Sequence, residues 1–156
     1  MIGKTEAVRI TAKVDYGIRA LLELALRPND WTKGEVLAAA QSLPLHFAEN
    51  ILRQLRNGGF VEAHRGADGG YRLALPASAI RIGDVIRTLE GPLAAVQGVR
   101  PDQLNYEGAA KHMQQVWISV RTQLRSVLDE ISIQDVVNGD VPEVADEEWA
   151  PRVREP

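Results

Sequence analysis

Apolar residues recur every three or four positions along much of the chain, with polar residues between them. This spacing places the apolar side chains on one face of a helix, so it predicts amphipathic helices. Four segments in the N-terminal part show the pattern. The residues that define the four faces are Val14, Ile18, Leu21, Leu22 and Ala25 in the first, Val36, Leu37 and Ala40 in the second, Phe47, Ile51, Leu52 and Leu55 in the third, and Ile82, Val85, Ile86 and Leu89 in the fourth.

Residues that begin helices stand at the starts of the first three segments. Thr11 can cap a first helix that runs to about Arg27. Residues 32–35 read Thr-Lys-Gly-Glu, which matches a capping box for the second helix. Residues 41–43 form a turn, and Pro44 suits the first turn of the third helix. Two short helices joined by a tight turn predict a helix-turn-helix, in which the second helix is the candidate reader of DNA.

After the third helix, apolar residues recur at about every second position instead of every third or fourth. Gly58 and Gly59 provide the left-handed backbone positions that end a helix. Residues 60–64 and 71–75 then alternate roughly between apolar and polar side chains, as the strands of a half-buried hairpin do. Residues 65–70, Arg-Gly-Ala-Asp-Gly-Gly, make a basic, glycine-rich turn between them. Helix, turn and hairpin in this order predict a winged helix-turn-helix, whose wing lies beside the DNA backbone or minor groove.

The longest helical pattern runs from Tyr106 to Ile131. Its apolar residues follow a period of about 3.5, which is typical of a helix that pairs with a second copy of itself. The residues of this seam are Met113, Trp117, Val120, Leu124, Val127 and Ile131. Residues 132–135, Ser-Ile-Gln-Asp, can cap one more short helix that ends at Gly139.

Three parts of the chain follow from these patterns. Residues 1–92 are expected to form the winged helix-turn-helix domain, with residues 1–10 as an arm or first strand. Residues 93–139 are expected to form a loop and a dimerisation helix. Residues 140–156 are acidic and contain three prolines, which predicts a flexible tail. The fold class is therefore mainly α with a small β-hairpin.

Composition narrows the functional classes. The chain has 156 residues, of which 45% are hydrophobic, and it has no cysteine. This excludes disulfides, thiolate catalysis and cysteine-ligated metal sites. The three histidines, His46, His64 and His112, are too dispersed for a metal motif, and no catalytic grouping stands out, so we expect no enzyme and no cofactor. No apolar stretch suggests a membrane span and no signal pattern begins the chain, so we expect a cytoplasmic protein.

Charge is divided unevenly along the chain. Residues 1–76 carry 10 Lys and Arg against 8 Asp and Glu, whereas residues 77–156 carry 8 against 13. A positive N-terminal part suits contact with phosphate, and an acidic remainder suits a position away from it. Two ordinary solvated surfaces would explain the same numbers.

The motifs resemble one known family. Residues 13–22, 52–61 and 65–73, together with Leu-Glu-Gly-Pro at 89–92, resemble the winged helix-turn-helix regulators of the IscR/NsrR/CymR family, over about residues 8–137. The wing sequence RGxxGGYxL carries most of the resemblance. It implies a homodimeric transcriptional regulator that binds double-stranded DNA.

One departure from this family concerns its iron–sulfur members. They carry three cysteines in the loop before the long helix, whereas residues 96–105 here contain none. The resemblance therefore implies a member without a cluster, as CymR-like members are, and DNA binding does not depend on the missing thiols.

The resemblance places major-groove contacts on the first turns of the reader helix, at His46, Phe47, Glu49 and Asn50. Chemistry supports two of these independently, because Glu49 can accept from cytosine N4 and Asn50 can bridge adenine N6 and N7. For Phe47 the alternative is a core position against Ile51. Arg53 and Arg56 on the same helix are expected to contact phosphate, although a solvated face would look the same. Lys13 and Tyr16 on the first helix are further expected backbone contacts, with a core position as the alternative for Tyr16.

Arg65 is the strongest single candidate in the wing. An arginine flanked by Gly66 can approach the sugar-phosphate wall and enter a narrow minor groove, and Arg72 on the second strand is a further candidate. The alternative is an ordinary hairpin whose glycines serve only the turn.

These features favour a homodimeric repressor that reads a palindromic operator. Two other classes stay open: a winged helix that binds protein through its acidic part, and a small-molecule-binding protein or enzyme on the same scaffold. A small-molecule or protein effector is not identified by the sequence. Tyr106, Met113 and Trp117 could line an effector pocket, although such residues at helical spacing are more often dimer core.

Overall fold

A computed structural model describes residues 10–143. The expected N-terminal arm, apart from Ile10, and residues 144–156 of the expected tail lie outside the described residues. The elements are α1 (Ala12–Ala25), α2 (Gly34–Ala40), α3 (Leu45–Asn57), β1 (Val61–His64), β2 (Gly70–Leu73), α4 (Ile82–Glu90), α5 (Met113–Leu128) and α6 (Ile133–Asn138), with short 3-10 turns at Ala77–Ala79, Pro101–Gln103 and Gly108–Ala110. The predicted fold class, mainly helical with one hairpin, is confirmed.

The core lies where α1, α3, α4 and α6 meet. Thr11 caps α1 as predicted, because its side chain accepts a hydrogen bond from Val14 N at 3.3 Å. The fully buried side chains of this core include Leu21, Leu24, Leu37, Ile51, Leu52, Leu55, Ile80, Val85 and Ile133. Ile133 comes from α6, so the last helix that the structure describes completes the core that α1 begins.

A tight turn joins α2 to α3. Ser42 adopts a left-handed conformation with φ of 53°, and Leu43 N donates to Ala38 O at 2.7 Å. Ala38, Leu43 and Ala48 form a small second cluster across the turn. This cluster fixes the reader helix α3 against α2, which is the helix-turn-helix that the sequence predicted.

The start of α2 differs from the prediction. Thr32 does not cap the helix; Lys33 occupies the N-cap position without a side-chain hydrogen bond, so the predicted capping box is wrong. The reason lies in the distant strand β2, because Thr32 N donates to Tyr71 O at 2.9 Å and Tyr71 N donates to Thr32 O at 2.7 Å. Val36 and Ala40, expected to face inward, are exposed, whereas Leu37 is buried as predicted.

The hairpin follows α3 as predicted. Its strands pair in antiparallel register from Val61 opposite Leu73 to His64 opposite Gly70. Gly59 has a φ of 83° and supplies the left-handed position after α3, whereas Gly58 keeps a helical φ of −79°, contrary to the expectation that both are left-handed. The hairpin and its turn are called the wing below.

The helix α5 is shorter than predicted. It begins at Met113 instead of Tyr106, because Gly108 adopts a left-handed φ of 59° and starts a 3-10 turn. No residue of α5 is buried within the chain. The four elements α1 to α4 and the wing, residues 10–91, are called the winged-helix body. No helix in the part of the chain that the structure describes is long and apolar enough to cross a membrane.

The predicted cap of α6 is confirmed. Ser132 accepts from Asp135 N at 3.1 Å, and Asp135 accepts from Ser132 N at 2.8 Å, which makes a reciprocal capping box. Gly139 ends the helix in the left-handed conformation with a φ of 78°. The cap fixes the direction in which α6 returns to the core.

Replacing Asp135 by Asn should lower thermal stability at neutral pH and change little in acid. Hydrogen bonds from Ser132 lower the pKa of the Asp135 carboxyl below its ordinary value of 3.8. Such a group stabilises the folded state above its unfolded pKa, and the contribution is lost as pH falls through the folded pKa. We expect the difference in Tm between the two proteins to shrink as pH falls from about 7 to about 3.

Asp140→Asn is the matched control, because Asp140 is an exposed carboxyl just beyond α6. It should melt like the wild type at both pH values. An Asp135→Asn deficit of equal size at both values would contradict an ionised cap.

Candidate nucleic-acid interface

The reader helix α3 separates its side chains cleanly between core and solvent. Ala48, Ile51, Leu52 and Leu55 are buried on one face. The other face carries the side chains that the sequence assigned to DNA: His46, Phe47, Glu49, Asn50, Arg53 and Arg56, all exposed. Because the apolar face is fixed in the core, the polar face is held outward in one orientation.

Phe47 is 47% exposed, so the alternative that it is a core residue is wrong. Its ring meets Tyr16 edge to face, with centroids 6.0 Å apart. The Arg19 guanidinium also lies over the Tyr16 ring, 4.9 Å from its centroid. Tyr16 is half-buried and packs against both apolar clusters. It therefore supports Phe47 from behind while keeping an edge at the surface.

Lys13 lies beside the same helix. Its ammonium donates to Gln54 Oε1 at 3.4 Å and lies 3.8 Å from Glu90 Oε1. Glu90 also accepts from Thr11 Oγ1 at 2.7 Å. Lys13 is thus held where α1, α3 and α4 approach each other, and the structure brings both α1 candidates next to the reader.

The wing turn needs its glycines for steric reasons. Gly66 has a φ of 111°, and Gly70 has a φ of 153°. A Cβ at Gly69 would overlap the carbonyl of His64, and one at Gly70 would overlap the Thr32 backbone. The glycines therefore serve the turn itself. Arg65 is exposed at this turn, and among residues 10–143 its side chain makes no hydrogen bond or ion pair.

The wing is braced from outside by a residue that sequence reasoning missed. Trp31, in the loop before α2, lies under the Arg72 guanidinium at 4.2 Å and 5.2 Å from the His64 ring. Arg72 also pairs with Glu62 on the opposite strand. Together with the Thr32–Tyr71 bridge, these contacts tie the hairpin to the start of α2.

Arg72 therefore already contacts Glu62 and Trp31, whereas Arg65 makes no side-chain hydrogen bond or ion pair among residues 10–143. The reader helix and the wing approach each other at Gly34, where an added Cβ would lie 3.8 Å from both Glu49 Cγ and Tyr71 Cε2.

The periodicity of the sequence does not point to Trp31, because Trp31 contacts the hairpin only after the chain has folded. The sequence signal that could have indicated its role is an isolated aromatic residue in a polar loop.

The exposed side of α5 carries an apolar groove of about 680 Å³. It includes three residues of the predicted seam, and its lining is Val116, Ser119, Val120, Gln123, Leu124, Val127 and Leu128. Trp117 does not line this groove. Its indole Nε1 donates a hydrogen bond to Tyr106 Oη at 3.0 Å. Ile131, the last seam residue, packs against the core of the body.

A family profile, known proteins and solved structures match this chain. The profile of Rrf2, described as an iron-dependent transcriptional regulator, matches residues 10–139. The chain belongs to the Rrf2 family. A protein of Mycobacterium tuberculosis named as a candidate HTH-type transcriptional regulator is 41% identical over 137 residues, which cover 87% of this chain and 85% of that protein.

Two solved structures are similar to this one. The structure of CymR, the global cysteine regulator of B. subtilis, matches with a TM-score of 0.71 at 35% identity, covering 84% of this chain and 97% of that chain. T. potens IscR matches with a TM-score of 0.69 at 28% identity, covering 91% and 92%. This Rrf2 chain is accordingly a DNA-binding transcriptional regulator and not an enzyme.

Iron does not fit residues 96–105 of this Rrf2 chain, where iron–sulfur members carry their cysteines. The one carboxylate of loop 96–105, that of Asp102, is already paired, because it accepts from Arg100 Nη2 and from Arg121 Nη1, each at 3.0 Å. Val96 and Val99 close the rest of the loop through a backbone bridge. Within residues 10–143 no group of three His, Asp or Glu side chains is placed to hold a metal ion. The iron in the family description therefore has no site in this loop.

Removing the Trp31 side chain should loosen the wing. We expect Trp31→Ala to speed amide exchange in β1 and β2, because the stacked Arg72 and the indole support the hairpin from one side. DNA affinity should fall about fivefold, equivalent to about 1 kcal/mol for one lost aromatic contact. Hydrogen exchange and a fluorescence binding assay measure the two effects.

Trp31→Phe is the matched control, since it keeps an aromatic face beneath Arg72. It should retain most of the protection and affinity. Unchanged exchange in the hairpin of Trp31→Ala would show that Trp31 does not brace the wing.

Proposed function

We propose that the chain is a homodimeric repressor that reads a palindromic operator with α3 and the wing, and that it works without an iron–sulfur cluster. The observation that carries this proposal is the outward polar face of α3, whose opposite face is locked into the core. A helix fixed in this way can enter the major groove without rearrangement.

Each exposed side chain at the start of α3 has a base chemistry that suits it. Glu49 accepts from the amino group of cytosine, and Asn50 pairs with adenine through N6 and N7. Phe47, supported by Tyr16, offers an apolar edge to a thymine methyl group. His46 stands one residue after the helix begins at Leu45, where it meets the groove first.

Backbone contacts would surround these base contacts. Arg53 and Arg56 follow on the exposed face of α3, and Lys13 and Tyr16 approach from α1. In the wing, Gly66 lets the chain pass close to the sugar-phosphate wall while Arg65 reaches into the minor groove. Arg72 serves DNA binding indirectly by holding the wing against Trp31.

The groove on α5 supports pairing with a second copy of this chain. Val116 and Val127 are 46% and 49% exposed on a helix with no buried residue. An apolar stripe of that kind on a 16-residue helix matches itself across a two-fold axis. Two readers related by this axis would require an inverted repeat in the DNA.

The proposal is tested by selecting sequences from a random pool of duplex DNA with the full chain. Enrichment of an inverted repeat, and binding that weakens as salt rises, is the expected result. Failure to enrich any DNA would contradict the proposed operator and favour a protein partner or small ligand.

Arg65→Ala should weaken binding to the selected operator by about 1–3 kcal/mol without changing Tm. The reason is that Arg65 makes no ion pair or hydrogen bond within residues 10–143, so the fold loses nothing with it. Titration of labelled operator and a thermal melt measure the two quantities.

Arg100→Ala is the control for the loss of one positive charge, because Arg100 is exposed and, among residues 10–143, its ion pair is with Asp102 near α5. It should bind almost like the wild type. A fall in Tm that accompanies the fall in affinity of Arg65→Ala would assign Arg65 a structural role.

Leu124→Glu should convert the dimer to a monomer. A carboxylate in the apolar groove would be buried without a partner, so we expect the dimer dissociation constant to rise at least about a hundredfold. Sedimentation velocity measures the mass, and far-UV circular dichroism checks that the body stays folded.

Thr122→Glu introduces the same charge on an exposed position of α5 that does not line the groove. It should leave the dimer intact. A Leu124→Glu protein that remains dimeric would show that the dimer interface does not lie at this groove.

A further inference from the structure

A bidentate ion pair joins the end of α5 to the winged-helix body. Arg87 Nη1 on α4 lies 2.7 Å from Asp129 Oδ1, and Arg87 Nη2 lies 2.9 Å from Asp129 Oδ2. Asp129 occupies the C-cap position of α5. Arg125 Nε, one turn earlier on α5, also donates to Asp129 Oδ2 at 3.2 Å.

The close approach of the two helices depends on Gly83. A Cβ at this buried position of α4 would overlap the Asp129 carboxylate, so no other residue leaves space for the pair. The hydrogen bond from Arg87 lowers the pKa of Asp129, which means that the carboxylate is ionised at neutral pH. The close approach at Gly83 and the ion pair between Arg87 and Asp129 therefore define one angle between α5 and α4.

The chain beyond α5 is held separately. Ile82 N donates to Ile131 O, and Ile133 N donates to Ile80 O, each at 2.9 Å. Arg81 Nη1 also donates to Glu130 O at 2.9 Å, one residue past the cap. These bonds locate the connection that follows α5, whereas the ion pair acts on the cap of the helix itself. Among the described residues, the side-chain hydrogen bonds between α5 or its cap and the body are those of Asp129.

A small change of tilt has a large effect at the other end of α5. The helix has 16 residues and is therefore about 24 Å long at a rise of about 1.5 Å per residue. A tilt of about 10° displaces its far end by about 4 Å over that length. Successive base pairs are about 3.4 Å apart, so this displacement amounts to more than one base-pair step.

We propose that the Arg87–Asp129 pair, seated on Gly83, fixes the distance between the two reader helices and thereby selects the spacing of the half-sites. This inference rests on the proposed dimer through α5. Arg87 and Asp129 are positioning residues: they touch no DNA in this scheme, and they decide where each α3 stands relative to the two-fold axis. Base preference within a half-site stays with α3.

The experiment uses the full-length dimer and the operator obtained by selection, together with operators whose central spacer is one or two base pairs shorter or longer. Affinities of the wild type, Asp129→Asn and Arg87→Gln are measured for each spacer. The wild type should prefer its spacer by about tenfold over a shift of one base pair, and both variants should reduce that preference to about twofold.

Gly83→Ala tests the same geometry while retaining both charges. Alanine favours a helix over glycine, so this variant should fold, yet its Cβ must displace the Asp129 carboxylate. The same loss of spacer preference is expected. Arg100→Gln, which breaks the exposed pair with Asp102, is the control and should keep the wild-type preference.

Two readouts separate a spacing role from a general structural one. Sedimentation should show dimers for every variant, and base preference within the half-site should not change. A preference that survives in Asp129→Asn and Gly83→Ala, or an equal loss of affinity at every spacer, would overturn the inference alone. A wild type that is monomeric or binds no DNA would overturn the proposed function as well.

Discussion

Burial of the inner face of α3 is the constraint on which the rest of the molecule depends. Ile51, Leu52 and Leu55 are at most 1% exposed and meet residues of α1 and α4. Each side chain of this size stabilises the fold by about 1.5–3 kcal/mol when fully buried. A rotation of α3 would expose all three, so the core fixes which residues face outward. Specificity for bases then costs no ordering of the helix at the moment of binding.

The wing obtains its position by different means. A two-stranded hairpin is at best marginally stable in water, and this one has only half-buried residues on β2. The bridge from Thr32 to Tyr71 adds two backbone hydrogen bonds from outside the hairpin. Trp31 covers the face that Arg72 and His64 share. The wing is therefore oriented by the loop before α2, which links it to the same helix-turn-helix that carries the reader.

Local patterns predicted most of the elements, and a contact distant in sequence accounts for the capping box that failed. The helices α1, α3 and α4 follow from their apolar periods, and the cap of α6 follows from Ser132 and Asp135, because both signals act within a few residues. The capping box at 32–35 failed because Thr32 bonds to a strand about forty residues away. The exposed face of α3 could be predicted from the sequence, whereas Trp31 and the Arg87–Asp129 pair arise only from the packing of separate elements.

Stability is distributed unevenly between the body and α5. The body rests on fully buried aliphatic residues, whereas α5 is held by arginine pairs near the surface, with Asp102 at the middle of the helix and with Asp129 at its end. Partly exposed pairs of this kind contribute about 0–1 kcal/mol each and weaken as salt increases. The orientation of the reader within each body is therefore more strongly determined than the angle of α5. Under the proposed function, recognition of bases within a half-site and recognition of half-site spacing would therefore depend on interactions of different strength. Salt would then act on the recognition of spacing through the protein as well as through phosphate.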